Sequence, residues 1–255
     1  MAMPDYLFDR WPSLVERIRR ARRVRAFFDF DGTLAPIRHE PDSVVVGRTT
    51  RRAIDRLAAH AGVRVVVVSG RRREALVRHI GLPRVTYWGM YGWERGPRPR
   101  LSHRARRDLS RARASVTEGV SDVTGVRIED KTFGFSIHAR GATDGAAALA
   151  RERLGRALQP FAARLHVLEG TRVWDVVPAR IRGKGEAIRQ AVARLREPWL
   201  PIYVGDDLTD EPAFDALASG VTVRVGRQRP TSARYWLASP GEVRRFIERL
   251  EGVLP

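Results

Sequence analysis

The chain has 255 residues, 43% of them hydrophobic, enough for one large domain or two modest ones with cores of their own. It has no cysteine, which excludes a disulfide framework, a thiolate zinc site and a thiol nucleophile, and leaves oxygen and imidazole as metal donors. The net charge of +18 has the sign that attracts nucleic acid, but its arginines are spread through every predicted helix with no helix-turn-helix, zinc finger or aromatic stacking motif beside them, so nucleic acid is not expected as a partner.

Residues 1–23 carry charge throughout and hold no apolar signal core, and apolar runs such as 65–68 are far too short to cross a bilayer. A cytoplasmic protein without a membrane partner is expected. Residues 24–30 read as a buried strand ending in acid, 51–61 as a helix through the spacing of Ile54, Leu57 and Ala58, and 63–68 as a valine strand running into Ser69-Gly70-Arg71. A helix over 72–80 is stopped by Gly81 and Pro83. Strand and helix in alternation is the pattern of a parallel sheet. At 95–100 the segment RGPRPR breaks the pattern and reads as a domain crossing. From 101 to 178 the order changes to a helix, strands at 126–130 and 133–139, a helix from Asp144, and strands at 165–168 and 173–177, which suggests a small sheet with two helices on one face. Alternation returns with a helix over 184–195, a strand at 202–204, a helix from Glu211 and a strand at 221–225, so the middle block reads as an insertion.

Four short strings carry chemistry. Asp29-Phe30-Asp31-Gly32-Thr33-Leu34 puts two carboxylates at the carboxyl end of a strand, where open α/β sheets bind ligands, and the turn that Gly32 permits can bring both to one site. Ser69 ends the valine strand, where its hydroxyl and nearby backbone N–H groups can hold a phosphate oxygen. Lys184 opens a helix between Gly183 and Gly185, which let an anion approach the ammonium and the helix start. Only Lys131 and Lys184 among the 47 basic residues are lysine, and a compact ammonium is what a planar guanidinium cannot imitate in a tight pocket. The string Gly205-Asp206-Asp207-Leu208-Thr209-Asp210-Glu211 gathers carboxylates that would repel one another unless a cation shared the charge, and Mg²⁺ fits such hard oxygen donors. Asp210 and Glu211 are also placed to cap the helix that follows. None of the six histidines pairs at a metal-ligand spacing. Tyr87, Trp88, Tyr91 and Trp93 could stack on a sugar ring or seal a core.

In this order DFDGTL, SGR, RGKG and GDDLTDE resemble the four motifs of the haloacid dehalogenase superfamily, over almost the whole chain. The middle block narrows the resemblance. Glu129-Asp130-Lys131, the run 133–137, His138 and Arg140 are similar to the cap of the trehalose-6-phosphate phosphatases, as are Phe214 after GDDLTDE and the tail from 221. The resemblance implies an α/β fold: a Rossmann-like core with a parallel sheet, built from residues 1–96 and 180–255, and an inserted α/β cap of type 2 at 97–179. It implies Asp29 as nucleophile and Asp31 as general acid and base, with Ser69 and Lys184 holding the phosphoryl oxygens. Mg²⁺ would sit on Asp29, the Asp31 carbonyl and Asp206, with Asp207 and Asp210 behind it. Thr33, Gly70 and Arg71 in the core and Glu129, Lys131 and Asp175 in the cap would bind substrate, a small-molecule sugar phosphate.

Two positions depart from the family pattern. Its G-x-H-G-x-E is here Gly89-Met90-Tyr91-Gly92-Trp93-Glu94, with tyrosine for histidine, and the glutamate before the cap's closing proline is Asp175. Trehalose 6-phosphate is the expected substrate. The alternatives are another sugar phosphate, such as a phosphorylated glycosylglycerate, and a basic nucleic-acid-binding protein on a phosphatase scaffold.

Overall fold

The computed structural model describes residues 2–21, 23–38, 44–96, 100–194 and 199–254. Residues 97–99 of the expected crossing and Leu195 at the end of the expected helix lie outside the described residues. The chain divides into two compact units, one of Met1–Pro97 with Gly183–Pro255 and one of Arg98–Arg182.

The first unit runs β1 (Asp5–Tyr6), α1 (Trp11–Ala21), β2 (Arg23–Phe28), α2 (Arg48–Ala59), β3 (Val63–Val68), α3 (Arg73–Ile80) and β4 (Val85–Trp88). The second unit holds α4 (His103–Gly119), β5 (Arg127–Asp130), β6 (Phe135–His138), α5 (Asp144–Leu158), β7 (Leu165–Gly170) and β8 (Val173–Pro178). The chain then returns to the first with α6 (Lys184–Ala193), β9 (Trp199–Gly205), α7 (Glu211–Ala216), β10 (Val221–Val225), β11 (Tyr235–Leu237) and α8 (Pro240–Glu251). No helix among the described residues is long and apolar enough to cross a membrane.

In the first unit seven parallel strands lie in the order β1-β11-β10-β9-β2-β3-β4. The strands are apolar on both faces because helices cover both. Val24, Ala26 and Phe28 of β2 meet residues of α1, α2 and α8 such as Leu14, Ile54 and Phe246, whereas Phe27 meets Ile188 of α6 and Phe214 of α7. Each fully buried valine or phenylalanine contributes about 1.5–3 kcal/mol. The chain builds outward from β2 to β4, then crosses back to lay β9, β10 and β11 on the other side of β2. Such a reversal opens a crevice at the carboxyl ends of the strands, where ligands bind in this fold class.

The second unit is an antiparallel sheet in the order β5-β6-β8-β7, with α4 packed on α5 and on β8. Residues 179–182 stay with it: the Ala179 N–H donates to the Arg164 carbonyl at 2.8 Å, and Ile181 is fully buried. Period-2 alternation sorts its faces. Phe135, Ile137, Trp174 and Val176 are buried and apolar, while Glu129, Ser136 and Asp175 share the opposite face through the register Glu129↔Ser136↔Asp175.

Candidate active site

Asp29, Ser69 and Asp206 each follow the last residues of a strand, on the neighbouring strands β2, β3 and β9. The Asp29 N–H donates to the Val204 carbonyl at 2.9 Å and the Ser69 N–H to the Trp88 carbonyl at 3.0 Å, so the sheet itself aims these two side chains. Gly183 before α6 has φ 86°, a left-handed conformation that glycine adopts without strain, and it delivers Lys184 to the same place. The Lys184 ammonium, 3% exposed, donates to Oδ1 of Asp29 at 2.7 Å and to Oδ1 of Asp210 at 2.6 Å.

Asp210 is fully buried and organises the cluster. Besides Lys184, Oδ1 accepts from the Tyr203 hydroxyl at 2.6 Å, and Oδ2 accepts from the N–H groups of Asp206 at 3.1 Å and Asp207 at 3.0 Å. A carboxylate has about four lone-pair sites, and four donors fill them. Asp207 caps the short turn Leu208–Asp210, whereas Asp210 makes no side-chain cap to α7 and Glu211 turns its carboxylate to Arg224 and Thr231. The expected capping of α7 is therefore not made: Asp210 instead completes a capping box with Asp207 around the preceding turn, and Glu211 is drawn to buried donors.

One carboxylate oxygen from each of Asp29, Asp206 and Asp210 lies within 4.8 Å of the others, and Lys184 is the cation bonded to two of them. Burial, opposed by Lys184 and reinforced by Asp210, pushes the Asp29 carboxyl up to about 7. Burial, with repulsion from Asp29, Asp210 and Asp207, holds the Asp206 carboxyl well above the usual carboxylate range. Burial works to lower the Lys184 pKa, but Asp210 and Asp29 outweigh it and the pKa is raised. Hard oxygens with uncompensated negative charge suit a divalent ion such as Mg²⁺. With Asp210 saturated, Asp29 and Asp206 are the side chains left to hold it. The space is tailored to Asp206: a Cβ on Gly32, at φ 82°, would lie 2.1 Å from Oδ2 of Asp206.

Asp31 is engaged otherwise. Arg71 grips it with two bonds, Nε to Oδ2 at 2.6 Å and Nη2 to Oδ1 at 2.7 Å, and lies over the Phe30 ring. Thr33, fully buried, donates to Oδ1 of Asp206 at 3.1 Å and so braces that carboxylate. Gly70 is pressed by Tyr91, whose hydroxyl would lie 2.8 Å from an added Cβ. Met90 and Tyr91 have φ of 46° and 60°, a strained pair for non-glycine residues. What holds them is the Ser69–Arg71 loop: the Met90 N–H donates to the Arg71 carbonyl and the Tyr91 N–H to the Ser69 carbonyl, both at 2.8 Å. Glu94, 3% exposed, closes the turn by accepting from the Arg73 N–H at 2.8 Å and from the Arg72 guanidinium. Tyr87 and Trp88 belong to the core, Tyr87 bonded to Leu82 and Trp88 against Phe27, which is the core-sealing alternative for those two.

In the inserted unit Lys131 donates to Oδ1 of Asp175 at 2.8 Å, and the Ser136 hydroxyl donates to the same oxygen. Glu129 meets Nε2 of His138 at 2.7 Å. Burial works to raise the Glu129 pKa, but His138 and Lys131 outweigh it and the carboxyl stays below its usual value. Both lysines of the chain thus sit on carboxylates. Tyr203, Arg224 and Ser136 were not singled out from the sequence, and Glu94 entered only as the last residue of the G-x-H-G-x-E pattern. The first two are charged or polar residues inside apolar strands, which is the signal that could have found them.

A seven-stranded parallel sheet of this order, with acids at the ends of β2 and β9, a lysine at the start of α6 and an inserted α/β unit, defines a protein of the haloacid dehalogenase type. The Trehalose-phosphatase family model matches residues 27–240, and the chain belongs to that family. It is 33% identical over 252 residues to the trehalose-phosphate phosphatase of Mycobacterium ulcerans, which covers 91% of this chain and 62% of that one. It is likewise 33% identical over 255 residues to that of Mycobacterium avium, covering 90% and 62%. The chain therefore spans less than two thirds of the length of these curated relatives. Its fold matches the C-terminal domain of C. albicans trehalose-6-phosphate phosphatase with a TM-score of 0.83, 22% identity and 98% of each chain covered.

Proposed function

We propose that this protein is a Mg²⁺-dependent phosphatase that hydrolyses trehalose 6-phosphate to trehalose and phosphate. One observation supports this above the rest: in a chain of the Trehalose-phosphatase family, the buried carboxylate of Asp29 is held 2.7 Å from Lys184, beside Asp206. Phosphoryl transfer needs in-line placement and charge neutralisation more than any other assistance. Asp29 attacks phosphorus, a new P–O bond forms, and the bond from phosphorus to the sugar oxygen breaks. Asp31 gives a proton to that leaving oxygen. It then takes one from a water, which attacks the aspartyl phosphate and frees Asp29. Lys184 and Ser69 hold the phosphoryl oxygens. A divalent ion held by Asp29 and Asp206 would supply neutralisation of the phosphate charge. Arg71 bonds both oxygens of Asp31 and leaves each a second lone pair that can carry the proton, and an arriving phosphate competes for the same guanidinium.

Tyr91 against Gly70, where the family carries histidine, favours a second reading, in which the substrate is another sugar phosphate such as a phosphorylated glycosylglycerate. Phosphate release measured with Mg²⁺ across a panel of sugar phosphates separates the two. Trehalose 6-phosphate is expected to give the highest kcat/KM and EDTA to abolish turnover. A metal-independent rate, or a different preferred sugar, overturns the corresponding part of the reading.

A further inference from the structure

β10 reads Val221-Thr222-Val223-Arg224-Val225, and all five residues are buried. Val221, Val223 and Val225 join the core on one face of the sheet, so Thr222 and Arg224 point to the other. An apolar side chain would be the less costly occupant of position 224, because a buried ion pair seldom stabilises a fold more than hydrophobic residues of similar volume. Arg224 is 5% exposed, and its Nε has no hydrogen-bond partner among the described residues. Stability alone does not account for it.

The register of the sheet sets Arg224 beside Gly205, the residue before Asp206. From there Nη2 donates to the backbone oxygen of Asp206 at 2.8 Å and Nη1 donates to Oε1 of Glu211 at 3.2 Å. Glu211 is itself fixed by the Thr231 hydroxyl at 2.7 Å and by the Ser232 N–H at 2.9 Å. On the other side of the same residue, the Asp206 N–H is held by Asp210 at 3.1 Å. Both peptide groups that flank the Asp206 side chain are therefore tied to buried charges.

We propose that Arg224 is a positioning residue for the metal site, fixing the backbone of Asp206 so that its carboxylate is aimed before the ion arrives, with Glu211 as the counter-charge that holds the guanidinium in place. This rests on the metal-dependent reading of the site. Groups that orient a metal ligand typically change metal affinity about 10- to 100-fold when removed. Lysine would keep the charge but not the fork that spans Asp206 and Glu211.

The test is titration of metal-free protein with Mn²⁺, following the free ion by electron paramagnetic resonance, together with a thermal melt of each variant. Arg224→Gln combined with Glu211→Gln removes both charges and leaves neither buried alone. Thr231→Val removes a bond to Glu211 in the same cluster but leaves the bond to Asp206. The double variant is expected to bind Mn²⁺ about tenfold or more weakly, and Thr231→Val to bind within about twofold of wild type even where its melting temperature falls. Wild-type affinity in the double variant, or an equal loss in Thr231→Val, overturns the proposal while leaving the metal site standing. If wild type binds no Mn²⁺ that Asp206→Asn removes, the metal reading falls and takes this proposal with it.

Discussion

Asp210 shows how one fully buried residue can set the surroundings of its neighbours. Its four donors tie together α6, β9 and the loop after β9, and they leave Asp29 with a single ammonium partner at 2.7 Å. Asp29→Asn keeps the shape of that group but loses the nucleophilic charge, so turnover is expected to fall to below about a thousandth with the melting temperature little changed. Residual activity near wild type in that variant sinks the covalent mechanism. Lys184→Arg preserves charge, but the wider guanidinium must fit where a side chain 3% exposed already meets two carboxylates. A drop of about 10²- to 10³-fold in kcat is expected, and near-normal kinetics would mean that the compact ammonium is dispensable.

At the scale of elements the site depends on how closely α6 approaches α7. Gly185, the second residue of α6, faces the backbone of Pro212, and an added Cβ would lie 2.6 Å from the Pro212 carbonyl oxygen. Backbone cannot yield as a side chain tip can. Gly185→Ala is therefore expected to cost about 1–3 kcal/mol, a loss of several degrees in melting temperature, and to lower kcat because Lys184 sits on the displaced turn. An unchanged melt and rate would show that the helices separate freely. The elements visible from sequence were those dense in valine, such as β3 and β10, and those with a clear helical spacing, such as α2. β1, of two residues, gains its pairing from a strand far along the chain, with Asp5 opposite Tyr235, and β11, of three, is short enough to need β10 and β1 on its two sides. The pairing of Arg224 was illegible because its neighbour Gly205 is chosen by register and not by sequence distance. Asp29, Lys184, Asp206 and Asp210 were legible because each adjoins a strand end or helix start that its own local string declares.

At the scale of the whole molecule the proposed function implies that the two units divide the work by chemistry. The first carries carboxylates, lysine and backbone donors suited to phosphate and metal, features that every phosphomonoester presents alike. Discrimination among sugars would then fall to groups that meet hydroxyls, and on that proposal Glu129, Lys131 and Asp175 on the polar face of the second sheet are the candidates. Lys131 and Asp175 already bond one another, so altering either leaves a buried charge alone and confuses selectivity with folding. Glu129 is the cleaner probe, because Glu129→Gln keeps an oxygen for His138 while removing the charge that a sugar hydroxyl would meet. A hydrogen bond to a charged group contributes about 1.5–3 kcal/mol, so kcat/KM for the preferred sugar phosphate should fall about ten- to a hundredfold. Hydrolysis of p-nitrophenyl phosphate, which has no sugar, should stay nearly constant in the same variant. Equal losses on both substrates would assign Glu129 to the fold or the chemistry, and no loss on either would leave the polar face of the second sheet without a part in selectivity.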